Sequence, residues 1–176
     1  MEKPQNIKGI FLDLGYTLLY PPSGSFMFSQ FARQHFSSQK LTRLPKERVS
    51  SAMQAARVNL EGDPLVLSME KEYQVFYKYY AALSEALGLD LSEEELSAVT
   101  EDKVYNKLDN YRLYEDSIST LQALRGRYKL GIISDTWPSI VPVLEALDIL
   151  KYFDCHTFSF ELGCLKPDRR MYQDAL

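Results

Sequence analysis

Apolar residues run almost unbroken from Ile7 to Leu12 and end on Asp13, a pattern that predicts a strand over 7–13 buried on both faces. Two further segments read as strands, Lys129–Ser134 and the shorter His156–Phe160. Between the first two the period changes. Leu18-Leu19-Tyr20-Pro21-Pro22-Ser23-Gly24 is a breaker cluster and a plausible hinge, and from about Ser25 to Tyr111 the apolar positions recur at helical spacing. That spacing predicts helices near 25–38, 46–61, 69–87 and 92–109. Gly88 fits a stop after the third, and Ser92 with Glu95 fits a capping box that starts the fourth. Strand and helix then alternate. An amphipathic helix is predicted from Asp116 to Arg127, carrying Ile118, Leu121 and Leu124 inward. Another runs from Ser139 to Leu147 with Pro138 in its first turn and Asp135 or Thr136 as cap, and Pro167 opens the last.

Such alternation implies a parallel α/β sheet with right-handed crossovers. Roughly 85 residues of helix between two strands is too long for an ordinary crossover. The span 21–112 therefore reads as an inserted helical subdomain, and 1–20 with 113–176 as the sheet-bearing core.

Composition narrows the partners. With 176 residues, 45% of them hydrophobic, the chain can bury a real core. A net charge of −4 and no basic stripe argue against a nucleic-acid partner. A phosphorylated small molecule is compatible, because a local positive pocket does not need a basic protein. No apolar run is long enough for a bilayer, and the start, Met-Glu-Lys-Pro-Gln-Asn, lacks a signal-peptide core, so a cytoplasmic protein is expected. Cys155 and Cys164 do not make a disulfide framework, and with His35 and His156 they make no zinc site. Neither histidine is placed to activate Cys164 as a nucleophile. Tyr73, Tyr77, Tyr80 and Phe76 form a helical stripe that reads as core.

Candidate chemistry gathers at strand ends. Asp13 follows the first strand, where open α/β sheets place their sites, and a carboxylate there is a candidate nucleophile. Ser134 ends the second strand, with Asp135 and Thr136 after it as the start of a helix whose N–H groups favour anions. Lys166 lies in the loop Gly163-Cys164-Leu165-Lys166-Pro167-Asp168 and supplies a point charge suited to phosphate.

Carboxylate, hydroxyl and ammonium in this order resemble the first three motifs of the haloacid dehalogenase-like (HAD) hydrolase superfamily. The match is to the subfamily with a helical cap after motif one. The resemblance implies a doubly wound, Rossmann-like parallel sheet with an all-helical cap. It implies magnesium-dependent hydrolysis of a small phosphomonoester: Asp13 as nucleophile and metal ligand, the Gly15 carbonyl as a second metal ligand, Lys166 as catalytic cation. Ser134, Asp135, Thr136 and Lys166 would bind substrate, while Thr17 and Glu161 would orient loops. Gly15 stands where the family's commonest pattern, Asp-x-Asp-x-Thr, has its general acid–base, whose loss costs about 10²–10⁴ in rate. Tyr16 is the adjacent substitute donor, although an ordinary phenol pKa near 10 makes it a poor base.

Two rival readings stand beside this one. The 2-haloacid dehalogenases of the superfamily need no metal, and Tyr172 agrees with their pattern, whereas the order Gly15-Tyr16 does not. The other is a non-catalytic fragment. The family's fourth motif, an acidic magnesium-binding cluster, should follow Lys166 by about two dozen residues, beyond Leu176. The core is therefore expected to be incomplete at its C-terminus, and the chain as it stands inactive or nearly so as a magnesium phosphatase. Its first strand is then an exposed edge that invites dimerisation.

Overall fold

The structure, a computed structural model, describes residues 7–36, 43–61, 65–106 and 108–176. Three strands, β1 (Gly9–Leu12), β4 (Lys129–Ser134) and β5 (Cys155–Phe158), form a parallel sheet in the order β1-β4-β5. β2 (Leu19–Tyr20) and β3 (Arg112–Leu113) make a separate antiparallel pair. Helices α1 (Gln30–Phe36), α2 (Lys46–Glu61), α3 (Met69–Leu87) and α4 (Glu93–Val104) lie between those two short strands in the chain. α5 (Ser117–Arg125), α6 (Ile140–Ala146), α7 (Ser159–Leu162) and α8 (Arg169–Ala175) alternate with β4 and β5. No described helix is long and apolar enough to cross a membrane.

β4 is central and its residues after Lys129 are buried. Gly131 is required there: a Cβ would stand 2.5 Å from the Phe11 ring and 3.0 Å from Cys155 Sγ, so only glycine lets Phe11 lie across the strand. β1 is shorter than its apolar run predicts and is not buried on both faces. Ile10 and Leu12 pack on the core while Phe11 stays 39% exposed, because β1 pairs on one side only. Around β4 the core gathers Leu14, Leu121, Ile132, Leu144, Ile149 and Phe158. Each such side chain contributes about 1.5–3 kcal/mol when fully removed from water.

A second apolar cluster belongs to the helices. α3 starts where the Ser68 side chain accepts from Lys71 N–H and ends where Gly88 turns left-handed, φ 65°. Its Phe76, Tyr79, Tyr80 and Leu83 are buried against α1, α2 and α4. Tyr80 Oη donates to Met27 O at 2.6 Å, and burial pushes the phenol well above 10. α4 carries the capping box: Ser92 Oγ takes Glu95 N–H, and Glu95 Oε2 takes Ser92 N–H.

Several boundaries differ from the sequence pattern for local reasons. Residues 25–29 are not helical. Ser23, Ser25 and Ser29 hydrogen-bond neighbouring backbone, so α1 begins at Gln30, and 37–38 lie outside the described residues. α4 stops at Val104 rather than 109, a 3₁₀ turn follows at Leu108–Asn110, and Lys107 is likewise undescribed. The breaker cluster after Thr17 contains β2. α5 is two residues shorter at its end than the pattern suggests, and Ser117 begins it with its hydroxyl on Leu18 O at 2.7 Å. β5 starts one residue early and yields at Ser159 to α7, so Phe160 is helical. Pro167 does not open the last helix; Asp168 does, its side chain accepting from Arg170 N–H.

Candidate active site

Asp13 leaves the C-terminal end of β1 and Ser134 is the last residue of β4, so the parallel pairing sets both at one edge of the sheet. Lys166 reaches the same place from the loop after α7. Ser134 Oγ donates to Asp13 Oδ1 at 2.8 Å, and Lys166 Nζ donates to Asp13 Oδ2 at 2.7 Å and to Ile133 O at 3.3 Å. Leu14 N–H is the third donor on the carboxylate, at 2.8 Å to Oδ1. Ser134 and Lys166, each more than a hundred positions from Asp13 in sequence, therefore converge on its carboxylate, as motif order alone suggested.

The turn after Asp13 explains how the carboxylate is aimed. Leu14 O accepts from Thr17, Leu18 and Leu19 N–H, and Tyr16 sits left-handed at φ 56°, an uncommon state for a residue with a side chain. The turn is thus held by backbone bonds, and the Thr17 hydroxyl makes no hydrogen bond among the described residues. Tyr16 is exposed, its ring edge-on to Phe26 at 4.9 Å.

The segment after Ser134 is built differently from the cap first expected. Asp135 Oδ1 accepts Lys166 N–H at 3.0 Å, which holds the lysine loop against the strand end. Thr136 N–H is given to Ser159 Oγ at 2.9 Å. Neither Asp135 nor Thr136 caps α6. Instead Ser139, just before it, donates N–H and Oγ–H to the two oxygens of Glu72 from α3, the first at 2.8 Å. Glu72 is 0% exposed, and no feature of its helical stripe distinguished it from a solvated charge. Glu161 is exposed on α7 with no hydrogen bond among the described residues, so it orients nothing visible.

Two cavities open between the sheet edge and the helices. The smaller, about 110 Å³, is lined by Gly15, Ser134 and Asp135 from the strand ends and by Phe26, Lys103 and Trp137. The larger, about 550 Å³, shares Met27, Asp135, Thr136 and Trp137 with it and extends past Arg57 and Cys164. A cavity of that size is typical for a small-molecule ligand. Cys164 has no base beside it; the His35 ring is bonded to Phe31 O on its own helix, and His156 stacks on Phe158. Lys103 was not singled out by any motif. It lies on a helix whose charges otherwise look like an ordinary wet face.

No set of three or more His, Cys, Asp or Glu side chains that could hold a metal occurs among the described residues. A magnesium ion needs less from the protein, one or two carboxylates beside water and substrate oxygens. Asp13 with the Gly15 carbonyl meets that minimum. Asp13 Oδ2 has a single donor on it, and the Gly15 carbonyl accepts no hydrogen bond from described residues.

A family model described as haloacid dehalogenase-like hydrolase matches residues 7–176. Among curated proteins, pyrimidine 5'-nucleotidase YjjG of Escherichia coli is 36% identical over 61 residues, 34% of this chain and 27% of that protein. The chain thus spans about a quarter of this curated relative. A 2-haloacid dehalogenase from Pseudomonas syringae superposes with a TM-score of 0.56 at 19% identity, covering 96% of this chain and 71% of the other. YfnB from Bacillus subtilis, in a form bound to magnesium, does so with 0.59 at 14% identity over the same shares. At those identities the likeness is one of fold.

Proposed function

The chain belongs to the haloacid dehalogenase-like hydrolase family, and from that premise we propose that it hydrolyses a small phosphorylated metabolite through an aspartyl-phosphate on Asp13. The observation that carries the reading is the single carboxylate engaged by both Ser134 and Lys166, beside a cavity that Ser134 lines. Those two donors neutralise the nucleophile while the site is empty. When a phosphomonoester enters, both can turn to the phosphoryl oxygens, where negative charge must be held as the P–O bond breaks. Asp13 then forms a bond to phosphorus, the alcohol leaves as an alkoxide that takes a proton from water, and a second water cleaves the acyl phosphate to regenerate Asp13. Magnesium, held by Asp13 and the Gly15 carbonyl, would supply Lewis-acid charge on the phosphoryl group.

We read residues 21–112 as a cap over a core formed by 1–20 and 113–176. In this reading the larger cavity between them takes the leaving group, and cap closure excludes water from the acyl phosphate. The rival chemistry, halide displacement from a 2-haloacid by the same carboxylate, would enlist Tyr172. That residue is on α8, 42% exposed, with no hydrogen bond to the Asp13 carboxylate. The test is product identity. With magnesium and an aryl phosphate, inorganic phosphate should be released by the wild type and not by Asp13→Asn. Metal-independent halide release from 2-chloropropionate, without phosphate release, would overturn the phosphatase reading.

A further inference from the structure

Lys103 is 4% exposed and is one of the residues that line the smaller cavity, together with Gly15, Ser134 and Asp135. Among the described residues it makes no hydrogen bond and no ion pair. Its one contact of note is the face of Phe76, 4.6 Å from nitrogen to ring centroid. Two carboxylates stand on the neighbouring helices, Glu72 on α3 and Asp102 on α4. Glu72 gives both oxygens to Ser139, and Asp102 takes Asn106 Nδ2 on Oδ1 and keeps a buried, unpartnered Oδ2.

A lysine drawn this far from water loses most of its hydration, and an aromatic face returns only part of it. Such a group is tolerated where an anion completes it. The cavity has room for about three waters, at roughly 30 Å³ each, or for one tetrahedral oxyanion. We propose that Lys103 is a substrate-recognition residue that pairs with an anionic oxygen group of the bound substrate. The substrate's charge then meets a helix-borne ammonium in addition to Lys166, which the loop brings to the strand end. This deepens the phosphatase reading. The anionic group is either the transferring phosphoryl itself or a second acid on the leaving group.

Trp137 is the chain's single tryptophan and lines the same cavity, so its fluorescence reports filling. Inorganic phosphate and phosphoglycolate are titrated into wild type, Lys103→Met and Lys103→Arg. Loss of a charge-assisted hydrogen bond should weaken binding about 10–100-fold in Lys103→Met, with Lys103→Arg recovering part of it. An equal loss for both ligands identifies the phosphoryl group; a larger loss for phosphoglycolate identifies the second acid. Thermal melting without ligand separates recognition from scaffolding. Met fills the same volume without the charge, so its midpoint should equal or exceed the wild type's. Binding by Lys103→Met within twofold of wild type, a lowered midpoint with unchanged binding, or no binding by the wild type would each overturn the proposal. Wild-type binding that depends on Lys103 without phosphate release from an aryl phosphate would instead sink the phosphatase reading and leave Lys103 in place.

Discussion

At the sheet edge Lys166 lies 2.7 Å from Asp13 and 3.3 Å from the Ile133 carbonyl, whereas Lys103 lies over the face of Phe76 and has no hydrogen bond or ion pair among the described residues. The two walls differ in the same way throughout. Asp13, Ser134, Asp135 and Lys166 satisfy one another before any ligand arrives. The helices instead bury Glu72 by sending it across to Ser139, and among the described residues they give Lys103 no anionic partner. The contrast teaches a division of labour. On the proposed reading, reactive groups are pre-set by contacts inside the protein, and recognition is left to a charge that awaits its counterpart.

The largest expected effect lies on the sheet wall. Asp13→Asn should lower phosphate release by roughly 10⁴–10⁶-fold, because the step has no second nucleophile to fall back on; retention of more than a tenth of the activity would remove Asp13 from the chemistry. Lys166→Met should cost about 10²–10³ in kcat/KM, as loss of one transition-state charge does. The same change should alter folding stability by under about 1 kcal/mol, since Asp13 is 41% exposed and water screens the pair. A large drop in urea midpoint would show that the sheet wall is structural first. Glu72→Ala tests the seam between the walls. It strands the Ser139 N–H and hydroxyl in a buried site, at about 2–4 kcal/mol, read from urea unfolding. A loss below about 1 kcal/mol would mean that water replaces the carboxylate and the walls are not joined there.

The smallest effect is a pH dependence shared by both regions. Arg170 holds the Asp168 carboxyl down at about 2, through its side chain and then its backbone N–H, and the Ser92 N–H and hydroxyl hold Glu95 below its ordinary value. Both groups bind protons more readily unfolded than folded. Their contribution is therefore complete above the unfolded pKa, near 4, and fades as pH falls through the depressed folded values. Asp168→Asn should keep the cap on Arg170 N–H yet flatten the loss of stability between pH 5 and 2. An unchanged slope would place the acid sensitivity elsewhere.

How much of this was legible in the sequence depends on the kind of signal. α2, α3 and β4 match their patterns residue for residue, because long periodic runs with capping residues at Ser68 and Gly88 leave little choice. The convergence of Asp13, Ser134 and Lys166 followed from strand ends and motif order. β2 and β3 did not follow, since two residues each carry no period. The burial of β1 was misjudged because an apolar run shows nothing about whether one or both edges are paired. Lys103 and Glu72 were illegible for a third reason. Each is a charge on a helix rich in charges, and only the packing of α3 and α4 against the strand ends shows which of them face inward.

Phe26 bears on what position 15 could become over generations of mutation. A Cβ added to Gly15 would meet Phe26 Cε2 at 3.1 Å and Cζ at 3.4 Å, so even a methyl group needs the ring to yield by a few tenths of an ångström and a carboxylate needs more. That ring is itself leaned on by Tyr16 and Tyr111. An aspartate arriving at 15 in this background meets an obstacle before it meets a substrate, whereas one arriving after Phe26 has been trimmed finds room. Whether the Phe26 ring yields decides the outcome, so the room for a side chain at position 15 is set by position 26.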